Sequence, residues 1–480
     1  MPSIINATAW STFQRFGSLA IGFISNMVLA RLLCPEDFGT VGMIMVFVGL
    51  ADVLVDGGLG NALIQSKTVS DNDKSTVFTT NLLISVSLFS LIFISAPSIA
   101  AYVKIDNFDT YLRVEAIMIL IRAFYVVHFS LANRQLAFKT LAGISLTSNF
   151  VSTVIAILLA FGGLGVWSLI LRNIVIDLTS LILYYYNQKI KVRFLIDRDS
   201  FSRLFGYGAF VAIANLIESL YSNILSFIIG KKFSVKELGY YNQAHSLEQI
   251  PVYSMTSILN QVIFPFLSKI QDDRTKIHSD IRRSIMCISF IMFPLMVFLI
   301  CFAKPIIVLL YSDKWLPSVP FFQLLCVTGF FNAFYHLNRS VLKAIGQTRK
   351  LFYSQLAVTI IGLSLVVLVL PLGVMPVVTV VVFNSFVSFL IVASIAGRYI
   401  QYGVFPQIGD TSGNFIIALI SGALIIGMSS IIHFGHLMTL IVMCPLFFVI
   451  YLGIHYFIKS EPSQLVFGIA KNYIHRKYSK

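Results

Sequence analysis

Charge is what this chain has least of. Asp, Glu, Lys and Arg make up 12% of 480 residues, about half the share in a water-soluble protein. Cysteine is also scarce. Cys34, Cys287, Cys301, Cys326 and Cys444 are scattered and odd in number, which gives no disulfide framework and no spacing suited to zinc, haem or iron–sulfur ligation. The chain has no Walker A motif, so P-loop ATP hydrolysis is excluded. It has no converging nucleophile, base or metal set such as a membrane enzyme needs, and no filter-like repeat such as a channel needs. The net charge of +14 is not gathered on a face or stripe, so nucleic acid is not an expected partner.

What is abundant is apolar helix-length sequence. The chain is 57% hydrophobic with 42 Phe, and its mean hydropathy is +0.85. A bilayer core takes about 20 apolar residues per helix, and backbone in lipid must satisfy itself in helices or a closed barrel. The runs here are too long and too apolar on every face for barrel strands. The expected fold is an all-α polytopic membrane protein. Fourteen spans are expected at 9–31, 38–62, 77–101, 113–132, 142–161, 165–186, 203–229, 239–267, 284–303, 318–343, 352–370, 373–397, 414–433 and 436–458. The first run holds Gln14, Arg15 and Asn26 and is followed at once by others. It therefore reads as a spanning helix and not as a cleavable signal. With the N-terminus in the cytoplasm, 23 of the 35 Lys and Arg fall in cytoplasmic links and tail and 8 in outer links. That bias places both termini in the cytoplasm.

A repeat runs through the chain. Pro35-Glu36-Asp37-Phe38-Gly39 stands before the second span, and Val235-Lys236-Glu237-Leu238-Gly239 stands before the eighth, 200 residues on. Asn133-Arg134-Gln135-Leu136 is echoed by Asn338-Arg339-Ser340-Val341 at an offset of 205. Six spans separate the equivalents, so the halves share one topology, as in parallel transporter repeats. The expected organisation is a first lobe of six spans (1–186), a surface linker (187–202), a second lobe of six spans (203–400), two further spans (401–460) and a cytoplasmic tail (461–480). The linker carries Lys189, Lys191, Arg193 and Arg198 beside Phe194 and Leu195, a composition suited to the interface of an anionic leaflet. A solvated connector is the alternative.

Several motifs carry a family resemblance: Trp10-Ser11-Thr12-Phe13, Arg15-Phe16-Gly17, Ala30-Arg31-Leu32-Leu33, Pro35 to Gly39, Asp56-Gly57-Gly58-Leu59-Gly60-Asn61-Ala62-Leu63-Ile64-Gln65, Arg134 to Lys139 and Leu204-Phe205-Gly206-Tyr207-Gly208. In these the chain resembles the oligosaccharide flippases and polysaccharide exporters of the multidrug/oligosaccharidyl-lipid/polysaccharide exporter superfamily, in the branch of lipopolysaccharide, colanic-acid and teichuronic-acid exporters. The match covers most of the first half and the start of the second. The resemblance implies a flippase of the bacterial inner membrane. Its cargo would be an undecaprenyl-diphosphate-linked repeat unit, a polyprenyl-linked glycan moved from the cytoplasmic to the outer leaflet for surface polysaccharide assembly. It implies no enzyme activity and no cofactor or metal. The implied partners are membrane lipids and a polysaccharide polymerase or assembly complex. A functional monomer is expected, because both lobes belong to one chain.

Charges inside the spans are the candidate site. An unpaired charge at mid-bilayer costs about 2.5–3.5 kcal/mol on insertion scales. Arg15, Arg122, Arg172 and Arg339 should therefore face water or a partner, and the guanidinium fork matches diphosphate oxygens. Asn26 and Asn149 add donors for sugars, with interhelical bonding as the alternative. Glu218, Asp52 and Glu248 are candidates for ion coupling, and they would serve equally as partners of the arginines. Pro251 and Pro265 mark the eighth span as the helix to bend. A cation-coupled multidrug antiporter, a cell-wall precursor flippase and an inert scaffold remain the competing functions.

Overall fold

The computed structural model describes residues 4–56, 58–66, 68–188, 190–259, 263, 266–267, 270, 273–431 and 435–465. Among them the regular structure is all helical, with no strand. It divides into two compact units, Met1–Asn242 and Gln243–Lys480.

Unit 1 holds α1 (Ile4–Leu32), α2 (Pro35–Asp56), α3 (Leu59–Gln65), α4 (Asp71–Val103), α5 (Phe108–Glu115), α6 (Ile117–Arg134), α7 (Phe138–Phe161), α8 (Val166–Asn187), α9 (Arg198–Lys232) and the first turns of α10 (Val235–Ile258). Side chains cap the starts of α4 and α9. A capping box opens α4: Ser70 Oγ accepts from the Asp73 backbone N–H (3.1 Å), and Asp73 accepts from that of Ser70 (2.9 Å), an arrangement worth about 1 kcal/mol. Arg134, at the end of α6, donates to the backbone carbonyls of Leu63 (3.2 Å) and Ser66 and so closes the end of α3. α2, α6 and α8 pack on one another, as do α1 with α7 and α2 with α9.

Unit 2 holds α11 (Arg274–Cys301), α12 (Ala303–Tyr311), a 3₁₀ turn (Asp313–Ser318), α13 (Val319–Ala344), α14 (Thr348–Val369), α15 (Val374–Ile400), α16 (Val404–Ile431) and α17 (His436–Ile458). α13 packs on α15 and α11 on α16. Buried Asn338 and Gln407 exchange two amide hydrogen bonds, of 2.9 and 3.0 Å. Asn338→Leu leaves the Gln407 Oε1 without its donor, while the Gln407 Nε2 keeps the Tyr402 carbonyl. It should cost about 1–3 kcal/mol, read as a lower thermal midpoint in detergent.

Eleven helices among the described residues are long and apolar enough to cross a membrane. Three of the expected spans, 9–31, 203–229 and 239–267, correspond to helices of similar length, α1, α9 and α10. They carry Arg15, Arg203 and Glu248 among other charges. The sixth expected span is one unbroken helix, α8. The fourth is interrupted at Ala116, which separates α5 from α6.

The first repeat match holds in three dimensions and the second does not. Pro35 and Val235 each open a helix at the offset of 200. Asn133, however, lies in the last turn of α6, whereas Asn338 lies well inside α13. The turn after α6 (Gln135, Leu136) has its counterpart at Ile345 and Gly346, where the left-handed residues are Leu136 and Gly346.

Candidate substrate site

Ionic side chains meet inside unit 1 where α2, α6 and α8 pack together. Arg122 on α6 forms ion pairs with Asp52 on α2 and with Asp177 on α8, the latter at 3.0 Å. Asp177 is 2% exposed, and its other oxygen accepts from the Tyr125 hydroxyl at 2.8 Å. The guanidinium is thus fixed from two sides by acids on different helices. Two carboxylates around one guanidinium leave an excess of negative charge when all three are ionised.

A third acid lies seven residues before Arg122. Glu115, at the end of α5, is fully buried and accepts from the Asn173 amide on α8 at 2.8 Å. Its other oxygen has no hydrogen-bond partner. Sequence reasoning misses Glu115 because Arg113, two residues before it, makes the stretch look like a span edge. The pattern that finds it is an acid flanked by Leu112, Val114, Ala116 and Ile117.

The other expected residues are dispersed. Arg172 is half-buried on α8, and its Nε is buried with no hydrogen-bond partner. Arg15 and Asn26 are half-buried on α1. The Asn149 amide on α7 donates to the Ser145 carbonyl of its own helix at 2.8 Å, the interhelical alternative thus giving way to a local bond. Around it, hydroxyls link helices: Ser18 with Ser145 (3.1 Å) and Ser180 with Ser148 (3.0 Å). In unit 2, Arg339 is half-buried on α13. Glu248 on α10 is fully buried and accepts from the Thr328 hydroxyl (2.9 Å) and the Gln249 amide (3.0 Å). Glu218 is on α9, but its side chain lies outside the described residues, as do Pro265 and the tail from 466 on. No group of three His, Cys, Asp or Glu able to hold a metal occurs among the described residues.

Unit 2 contains an almost wholly apolar cavity of about 700 Å³. Phe293 on α11, Phe330 and Phe334 on α13, Phe389 on α15 and Phe415 on α16 line it. Phe293 meets Phe330, Phe334 and Phe415 edge-on at 5.4–5.6 Å. A second group of charges stands apart from it. Arg282 holds Asp410 with two bonds (2.9 and 3.1 Å) and Glu461 with two more (3.2 and 3.1 Å), and Tyr402 donates to Asp410 at 2.8 Å. This fork ties the segment after α17 to α11 and α16.

The two copies of the repeat motif touch each other within unit 1. A Cβ on Gly39 would overlap the Val235 carbonyl oxygen, and one on Gly239 would overlap the Pro35 carbonyl oxygen. Lys236 bonds Glu36 at 3.1 Å across the contact, and that hydrogen bond raises the ammonium above its ordinary pKa.

The profile of the polysaccharide biosynthesis protein family matches residues 28–320. The teichuronic acid biosynthesis protein TuaB of Bacillus subtilis is 27% identical over 443 residues, covering 91% of this chain and 92% of that one. The lipopolysaccharide biosynthesis protein WzxC of Escherichia coli is 23% identical, covering 71% and 68%. Among solved structures, the lipid II flippase MurJ in an inward closed conformation superposes with a TM-score of 0.75 at 17% identity, covering 94% of this chain and 98% of that one. The fold is therefore MurJ-like.

Proposed function

The chain belongs to the polysaccharide biosynthesis protein family, and on that premise we propose that it is a flippase for a lipid-linked oligosaccharide. The cargo is an undecaprenyl-diphosphate-linked repeat unit, carried from the cytoplasmic to the outer leaflet of the bacterial inner membrane. The observation that carries the reading is Arg122 within a spanning helix, held by two carboxylates that an anion can replace. A diphosphate offers anionic oxygens, as Asp52 and Asp177 do, and can exchange for one of them without leaving the guanidinium bare. Arg172, with its unsatisfied Nε, is a second fork for the same anion. The apolar cavity of unit 2 suits an isoprenoid chain, which needs volume and no polar partner.

In this reading the chain has fourteen spans with both termini in the cytoplasm, and it works as a monomer. The duplicated six-span segments move as lobes, and the Gly39–Gly239 contact parts and re-forms as the site is exposed to alternate sides. Glu248, Asp52 and Glu218 remain the candidates for ion coupling. The acid excess around Arg122 favours a second reading, a cation-coupled antiporter of small cations.

Reconstitution separates the two. Proteoliposomes loaded with a polyprenyl-diphosphate glycan should show leaflet transfer of the glycan and no uptake of a small organic cation. Cation uptake without glycan transfer would overturn the proposal in favour of the antiporter.

A further inference from the structure

The segment between α8 and α9 runs extended along the start of α4 and is fastened there by hydroxyls. Ser75 Oγ accepts from the Arg193 N–H at 3.1 Å, and Thr76 Oγ1 accepts from the Asp197 N–H at 3.0 Å. Thr79 Oγ1 accepts from the Leu195 N–H at 3.1 Å and donates to the Arg193 carbonyl at 3.3 Å. Ile190 and Val192 pack inward on the cluster of Leu63, Val77, Phe78 and Leu204. Beyond the strap, Asp197 caps α9 by accepting from the Ser200 hydroxyl (2.7 Å) and N–H (3.0 Å), bonds that hold its carboxyl below the usual range. Arg203 pairs with Asp73 on α4. Both ends and the middle of the strap are therefore fixed.

Its outer side is unlike a solvated loop. Phe194 is 78% exposed, and its ring leans on Phe78 at 5.8 Å. Leu195, Ile196 and Tyr186 are exposed beside it, and so are Lys191, Arg193 and Arg198. Apolar side chains grouped with bases are costly in water. The strap lies at the first turns of one candidate span (Asp71–Val103) and just past the end of another (Val166–Asn187), so the surface that must stand beside it is the bilayer interface. There the apolar groups enter the headgroup boundary and the bases meet phosphate.

We propose that 190–198 is a binding surface for anionic phospholipid headgroups, with Phe194, Leu195 and Ile196 inserted and Lys191, Arg193 and Arg198 on the phosphates. The hydroxyl fastening makes the surface preformed, so little ordering entropy is lost on binding. The lipid then sets the depth of α4 and of the junction into α9, whatever the protein carries.

The test uses the full chain with Phe194→Trp in vesicles. Quenching of its added emission over that of wild type (Trp10, Trp167 and Trp315) by brominated phosphatidylglycerol and brominated phosphatidylcholine is compared. Strong quenching by the first lipid is expected, and each base should contribute roughly fivefold to its preference over the second. K191Q/R193Q/R198Q should keep the quenching and lose the headgroup preference at an unchanged thermal midpoint. The single variant Lys191→Glu gives the same readout should the triple variant fail to fold. Quenching of the added Phe194→Trp emission by aqueous iodide and by neither lipid overturns the proposal and leaves the face to a soluble partner. Equal quenching by both lipids, unaltered by the triple variant, overturns the headgroup assignment.

Discussion

Gly39→Ala should abolish transport while leaving the protein folded in the membrane. In an ordinary helix that change stabilises by about 1 kcal/mol, because alanine has the higher helix propensity. Here the added carbon overlaps the Val235 carbonyl oxygen, a backbone atom that no rotamer change can move aside. Gly239→Ala meets the Pro35 carbonyl in the same way. The two helix starts must separate, and the state in which they touch is lost. Gly49→Ala on the same helix is the control: nothing lies within 4 Å of its Cβ position, so it should be neutral or slightly stabilising. Proximity is measured by disulfide formation between E36C and K236C, with the exposed Cys34 replaced by serine. Cross-linking should fall more than tenfold with Gly39→Ala and remain unchanged with Gly49→Ala. Full transport by a Gly39→Ala protein that no longer cross-links would show that the contact is no part of the cycle.

The glycine and its repeat partner were legible in the sequence because the motif that starts both helices is short, local and duplicated. Their mutual contact was not, since a repeat alignment does not say that the copies meet. The Asn133–Asn338 pairing misled for a related reason. A four-residue similarity aligned a helix end with a helix interior, and the turn geometry at Leu136 and Gly346 gives the register that the side chains did not. Hydropathy placed the apolar helices well. It is a weaker guide to α10, where buried Gln243 and Glu248 lower the mean. Helical periodicity says that Arg172 and Asp177, five residues apart on α8, do not share a face. It could not supply the true partner of Asp177, Arg122, 55 residues away on another helix. Helical spacing reports which residues share a face, whereas ion pairing between helices depends on rotation and depth, which only packing fixes. Glu115 belongs to the same class: its partner Asn173 lies 58 residues on.

That ion group also separates the two roles open to Arg122. Arg122→Ala leaves Asp52 and Asp177 facing each other without a cation. The loss should be about 3 kcal/mol, the low end for a broken buried pair, because Arg122 and Asp52 keep 22% and 17% of their side-chain exposure. Transport would fail on that account alone, so the single variant cannot tell cargo binding from fold support. The informative protein is the triple variant Asp52→Asn, Arg122→Gln, Asp177→Asn, which removes all three charges and keeps hydrogen-bonding side chains of similar size. Neutral replacement of a whole buried ion group is often tolerated, since the desolvation cost disappears with the attraction. The thermal midpoint in detergent should recover most of what Arg122→Ala loses. Glycan transfer by the recovered protein should still fall at least tenfold, because no guanidinium is left to take the diphosphate from its carboxylates. Transfer at the wild-type rate by that neutral protein would make Arg122 a structural residue and move the anion path to Arg172 or beyond.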